Sequence, residues 1–185
     1  MRNDTGAECP AEERWSNFFV TFTSLGAVLG AAHFLPGRRF AYAGGNAADP
    51  TYWAMLGSVC LIVASVAAET AARGTMPDAT PEIWLGRFIL IMSIPWTWWS
   101  RRVLGANYAP TASNDSPGQK IVREGPYRWF RHPIYLGNAG SMAGLVIATG
   151  SRWSWSAFAV FAGVLAWRIR IEDASLRKKF PEIRP

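Results

Sequence analysis

The chain has 185 residues, of which 50% are hydrophobic, with 10 Trp and a formal net charge of +6. That length allows one domain with a full core, and the apolar, Trp-rich composition leans away from an ordinary soluble protein. Two cysteines, Cys9 and Cys60, make neither a disulfide framework nor a metal-ligand spacing, which argues against structural zinc.

A net acidic amino-terminal segment (Asp4, Glu8, Glu12 and Glu13 against Arg2 and Arg14) precedes the first apolar run, residues 18–35. A secretory leader starts basic, so this run is expected to stay as a helix. Further apolar runs at 52–68, 83–100, 134–149 and 153–169 each approach the roughly 20 residues that a helix needs to cross a bilayer core. Soluble helices would show polar faces. The expectation is therefore an all-α integral membrane bundle of about five transmembrane helices in a single domain, 1–185, with three spans within 1–100. The last two runs would be roughly 24–26 Å long if helical. Joined only by Gly150, Ser151 and Arg152, they form a short hairpin.

Charge sorts by loop. One face collects 14 basic residues, from Arg38 and Arg39, the 101–132 connection and the stretch from Arg168 onward, against only 4 on the other face (Arg2, Arg14, Arg73, Arg152). By the positive-inside rule the amino terminus is outside and the carboxyl terminus cytoplasmic. Such one-sided charge fits anionic lipid headgroups and replaces a nucleic-acid reading. Trp15, Trp53, Trp84, Trp98, Trp99 and Trp153 fall near helix ends, as interfacial anchors do.

The 101–132 connection has two parts. GANYAPTASNDSPGQK reads as a cytoplasmic loop or lid. REGPYRWFRHPIYLGN, from Arg123 to Asn138, packs three arginines, four aromatics and His132 into the approach to the fourth helix. Gly125 and Pro126 mark a turn, and Pro133 suits a first helical turn, where its missing N–H costs nothing. His132 thus stands beside a helix start, where backbone N–H groups and the dipole favour an anion. Beyond the fifth run the helix continues as WRIRIEDASLRKKF, with Arg168 and Glu172 at i, i+4 and Asp173 one position round.

The plain reading of Arg168, Arg170, Glu172 and Asp173 is a solvated helix end with i, i+4 pairing; of His132, a helix cap; of Tyr135, packing. His33 has no such context and reads as structural. What gives the two clusters meaning is that they bracket one hairpin, so the chain returns them to the same membrane face. The resulting pocket of imidazole, guanidinium, carboxylates, aromatic faces and helix amides suits a zwitterionic sulfonium cofactor. No GxGxxG, Walker or metal motif competes with it.

GPYRWFRHPIYLGN, followed after two helices by RIRIEDASL, resembles the isoprenylcysteine carboxyl methyltransferase (ICMT)-like family of integral membrane enzymes. The resemblance covers about the last 65 residues; the first three helices share only hydropathy with it. It implies S-adenosyl-L-methionine bound between the RHP segment and the acidic helix at a cytoplasmic carboxyl-terminal site. Tyr127, Arg131, His132, Pro133, Tyr135, Leu136 and Gly137 fall on the family's cofactor segment, with Glu172 added from the acidic pair; Gly137 would let backbone approach the cofactor.

Arg168, Glu172 and Asp173 fall on the family's catalytic arginine and paired acids. The implied activity is methyl transfer to a lipid-like or prenylated acceptor entering from the bilayer, with Arg168 orienting a carboxylate and Glu172 or Asp173 fixing Arg168 or the cofactor amine. An amine or thiol acceptor would use Glu172 as base. Asp173 stands where the family has Glu, and KKFPEIRP departs from its usual ending, which leaves the acceptor open among a prenylated cysteine, a phospholipid amine, a small thiol and another carboxylate. Competing functions are a nicotinamide-dependent membrane reductase, for which only scattered arginines could serve as a phosphate site, and a non-enzymatic membrane interaction protein.

Overall fold

The computed structural model describes residues 49–74, 77–78, 80–108 and 120–181. The first apolar run, His33, Arg38, Arg39, Cys9 and most of the expected lid lie outside the described residues. Within them the fold is all-helical: α1 Pro50–Arg73, α2 Pro81–Leu104, α3 Pro133–Ala148 and α4 Ser154–Lys179, with short 3-10 turns at Gly105–Asn107 and Gly125–Arg128. No strand occurs among the described residues.

Local sequence sets the ends. Asp49 caps α1 through Thr51 N at 2.8 Å, with Pro50 at the first helical position; Gly74, at φ +72°, closes it by donating to the Thr70 carbonyl. Thr80 and Pro81 start α2 in the same way.

Successive helices run antiparallel, but α1 and α2 are not partners. The tightest pair is α2 with α3, and α1 packs mainly on α4, with α3 touching all three. In α4, Ser154, Ala157, Phe161, Leu165 and Arg168 face inward at steps of three or four, one stripe of the helix. They meet Met55, Val59, Ile62 and Val66 of α1 and Met142, Leu145 and Val146 of α3.

Small residues bring α2 and α3 together. A side chain on Gly144 would stand 2.6 Å from Leu90 N, and one on Gly86 2.5 Å from Ala148 N, so backbone meets backbone along this seam. The outward face of α2 is apolar: Trp84, Leu85, Phe88, Ile91, Met92 and Trp98 are all exposed. A continuous face of this kind marks a surface that another apolar medium covers.

Among the described residues α1 is the one helix long and apolar enough to cross a membrane; α3 is apolar but shorter, at 16 residues. The other two expected spans are more mixed than their apolar runs suggested. α2 contains Glu82, Arg87 and Pro95 and ends on Arg101 and Arg102, and α4 gives its last third to charge.

At the end away from the charged clusters, α1 closes the hairpin. Glu69 accepts from Arg152 N at 2.5 Å and Trp153 N at 3.1 Å, at the start of α4. Arg73 donates to the carbonyls of Thr149 (2.9 Å) and Gly150 (3.2 Å), at the end of α3. An acid on a helix amino end and an arginine on a carboxyl end satisfy backbone groups that helix geometry leaves unpaired.

Candidate functional site

The opposite end gathers both charged clusters. The segment before α3 is fixed by aromatic contacts to α2. Trp96 donates through Nε1 to the Pro133 carbonyl at 2.9 Å, Phe130 meets Trp96 edge-on at 5.7 Å between centroids, and Trp129 meets Trp99 at 6.3 Å. Gly125 takes φ +54°, and a side chain there would stand 3.0 Å from Val103, so this turn needs glycine for both conformation and room.

His132 occupies the cap position of α3, yet its side chain makes no cap hydrogen bond. Its ring crosses to α4 instead: Nε2 lies 3.0 Å from Asp173 Oδ1 and Nδ1 lies 4.0 Å from Glu172 Oε1. Arg131 Nη1 stands 3.8 Å from the other Asp173 oxygen, and the imidazole stacks on Tyr135.

Tyr135 joins the two clusters by hydrogen bonds of defined direction. Its hydroxyl donates to Glu172 Oε2 at 2.6 Å and accepts from Arg168 Nε at 2.9 Å. Arg168 is only 5% exposed. Its Nη1 donates to Thr51 Oγ1 at 3.1 Å, and that hydroxyl donates to Asp49 Oδ1 at 2.6 Å. The expected i, i+4 relation of Arg168 to Glu172 is thus carried through the Tyr135 hydroxyl, and the arginine is set by two hydroxyls that each orient on a carboxylate. Burial at this cost requires such partners.

Tyr127, in the Gly125–Arg128 turn, has a buried hydroxyl that makes no hydrogen bond among the described residues. Burial, with the Glu172 and Tyr108 charges adding and Arg101 opposing, holds its phenol well above the ordinary range, so it stays protonated as a donor.

The structure therefore brings Tyr127, Arg131, His132, Tyr135, Arg168, Glu172 and Asp173 into one end of the bundle, with Pro133 buried beneath them. Leu136 lies exposed on α3. Gly137 permits a close approach of α2, because a side chain there would collide with Thr97 Oγ1 and press on Trp96. Thr51 and Trp96 belong to this architecture and were not legible as site residues, since a lone threonine and a tryptophan inside an apolar run carry no signal of the partner they meet.

The acids remain accessible, with side-chain exposures of 33% for Glu172 and 23% for Asp173. Two carboxylates, an imidazole, aromatic faces and a buried free hydroxyl can hold a small polar ligand carrying positive charge.

This is a helical bundle with a charged cluster gathered at one end from side chains on facing helices, the kind of position where such folds build cofactor sites. Residues 81–183 match the phospholipid methyltransferase family, and the chain belongs to that family of membrane methyltransferases, of which the ICMT-like motif is one form. The chain is also 30% identical over 120 residues to the uncharacterized protein YpbQ of Bacillus subtilis (strain 168), covering 64% of this chain and 69% of that protein. No solved structure matches it.

Proposed function

We propose that this protein transfers a methyl group from S-adenosyl-L-methionine to a lipid-like acceptor at the cytoplasmic face of a membrane, in the first instance a carboxylate of the isoprenylcysteine type. The observation that carries this reading is the convergence of His132, Tyr135, Arg168, Glu172 and Asp173, from two sequence clusters, at one end of the bundle.

The residues fit the cofactor. Glu172 and Asp173, half-open and already oriented by Tyr135 and His132, suit an ammonium or ribose hydroxyls, and the unpartnered Tyr127 hydroxyl offers one more donor. When bound, the sulfonium supplies an electrophilic methyl group. The chain's task is then to place the acceptor in line, and positioning of this kind accounts for up to about 7–11 kcal/mol of a barrier. Arg168, held by Tyr135 and Thr51, orients the acceptor; a carboxylate needs no base. The family's description favours a second reading, a phospholipid amine, for which Glu172 would take the proton.

On this reading all five apolar runs are membrane helices, with the amino terminus outside. Two things support it: the distribution of charge along the sequence, and the antiparallel run of the described helices, which puts Thr51, Leu104, Pro133 and Lys179 at one end.

The test is incubation of the detergent-purified protein with methyl-labelled cofactor and a panel of a prenylated cysteine, a phospholipid amine and a small thiol. Base-labile label on the prenylated cysteine is the expected result. Base-stable label on the phospholipid transfers the assignment to the amine. No label together with no S-adenosylhomocysteine binding overturns the methyltransferase reading in favour of a reductase or a non-enzymatic role.

A further inference from the structure

Two buried side-chain atoms lack a hydrogen-bond partner among the described residues: Tyr127 OH and Arg101 Nε. They lie in the same corner. The Gly125–Arg128 turn rests on the last turn of α2, where Gly125 abuts Val103 and Trp99, and the charge of Arg101 is felt at the Tyr127 hydroxyl. Arg101 lays the face of its guanidinium 5.0 Å over the Tyr108 ring. No carboxylate of the described residues lies within ion-pairing distance of it, whereas Arg131 meets Asp173 and Arg168 is held by Tyr135 and Thr51.

A buried donor left unmade is costly, and two in one region are kept only where something else completes them. A guanidinium stacked on an aromatic ring, with its edge unengaged, presents a rigid fork suited to a carboxylate or phosphate. Glu172 is also near enough for its charge to act on the Tyr127 hydroxyl. The corner therefore combines a cationic and an anionic group, suited to a ligand bearing both charges.

We propose that Arg101 is the anion-binding residue of the site and that its guanidinium and the Tyr127 hydroxyl together grip an oxyanion of the bound ligand. The proposal rests on the methyltransferase reading for the two sources of that oxyanion, the α-carboxylate of the cofactor and the acidic group of the acceptor.

The experiment measures binding of S-adenosylhomocysteine and of 5′-methylthioadenosine, which lacks the carboxylate, to the full chain in detergent, alongside thermal stability and acceptor kinetics. Arg101→Gln and Tyr127→Phe are compared with the parent; Arg101→Lys, which keeps the charge but not the fork, serves if the glutamine variant does not fold. Tyr127→Phe removes a hydroxyl without a partner, so ligand-free stability should not fall, while affinity should. For Arg101→Gln, a loss of about ten- to hundredfold in S-adenosylhomocysteine affinity, with methylthioadenosine unchanged, assigns the cofactor carboxylate. Unchanged cofactor binding, with about a tenfold higher half-saturating acceptor concentration and unaltered turnover at saturation, assigns the acceptor. No change in either overturns the proposal.

If the parent binds no S-adenosylhomocysteine, the methyltransferase reading fails by itself, and the subsite is judged with sulfate. A rise in parent melting temperature over chloride of equal ionic strength, lost in Arg101→Gln, upholds it; an equal rise in both overturns it.

Discussion

Arg168 Nε donates to the Tyr135 hydroxyl at 2.9 Å, joining helices whose contacting residues are 33 apart in sequence. The same guanidinium reaches Thr51, from a third helix. A charge that would be expensive at a membrane exit is thereby held in one orientation.

Arg168→Lys should separate a working arginine from a merely paired one. Lysine keeps the charge but cannot serve both hydroxyls in a plane, so stability should fall by about 2–3 kcal/mol and turnover by at least about tenfold. Cofactor affinity should change by less than about threefold. Steady-state methyl transfer and S-adenosylhomocysteine titration check this, and turnover within a few fold of the parent would sink the catalytic assignment.

His132→Ala tests which element the imidazole serves. Because the ring makes no cap bond and meets Asp173 instead, the melting temperature should hardly move, a cost of at most about 1 kcal/mol for a partly exposed contact. S-adenosylhomocysteine affinity should fall by about tenfold or more. A variant with lower stability and unchanged binding would return His132 to a structural role.

The α2–α3 seam should tolerate no side chain at Gly144. Valine there meets the Leu90 backbone, which cannot rotate away, and about 3 kcal/mol or more of stability should be lost. Gly163→Ala is the control: nothing stands within 4 Å of the added carbon, and helix propensity should make the change neutral to stabilising by up to about 1 kcal/mol. Thermal melts in detergent compare the two; equal stability of the Gly144 variant and the parent would refute the close packing.

Orientation is open to labelling in intact cells. In a background with Cys9 and Cys60 replaced by serine, Arg152→Cys should react with an impermeant maleimide, and Lys178→Cys only after permeabilisation. The reverse pattern would invert the topology and the cytosolic route for the cofactor.

The site was legible in the sequence where its chemistry is local. RHPIY and RIRIED each hold their polar and charged groups within one or two turns, and a short hairpin returns one to the other. What the sequence hid was contact at long range and direction on a helix. Thr51 reaches Arg168 across 117 residues, and nothing in a lone threonine announces it. Gly137 illustrates the second difficulty: a glycine on an apolar helix signals close approach without saying by what, and here α2 makes it. Within the described residues the apolar runs likewise gave the helices but not how many span, because α2 and α4 mix tryptophan and charge into their lengths.

The closure of the far end by Glu69 and Arg73 has a consequence for what counts as the working unit. Helix α1 is pinned twice, by Thr51 at the site and by these two residues at the hairpin turn, about 27 Å away along its axis. It acts as a splint for the hairpin that carries the charged clusters. Yet it lies wholly before residue 81, where the family match begins. A fragment limited to the matched region would keep every motif residue while losing the hydroxyl that sets Arg168 and both bridges that close the hairpin, so the recognisable part of this chain is not the self-sufficient part.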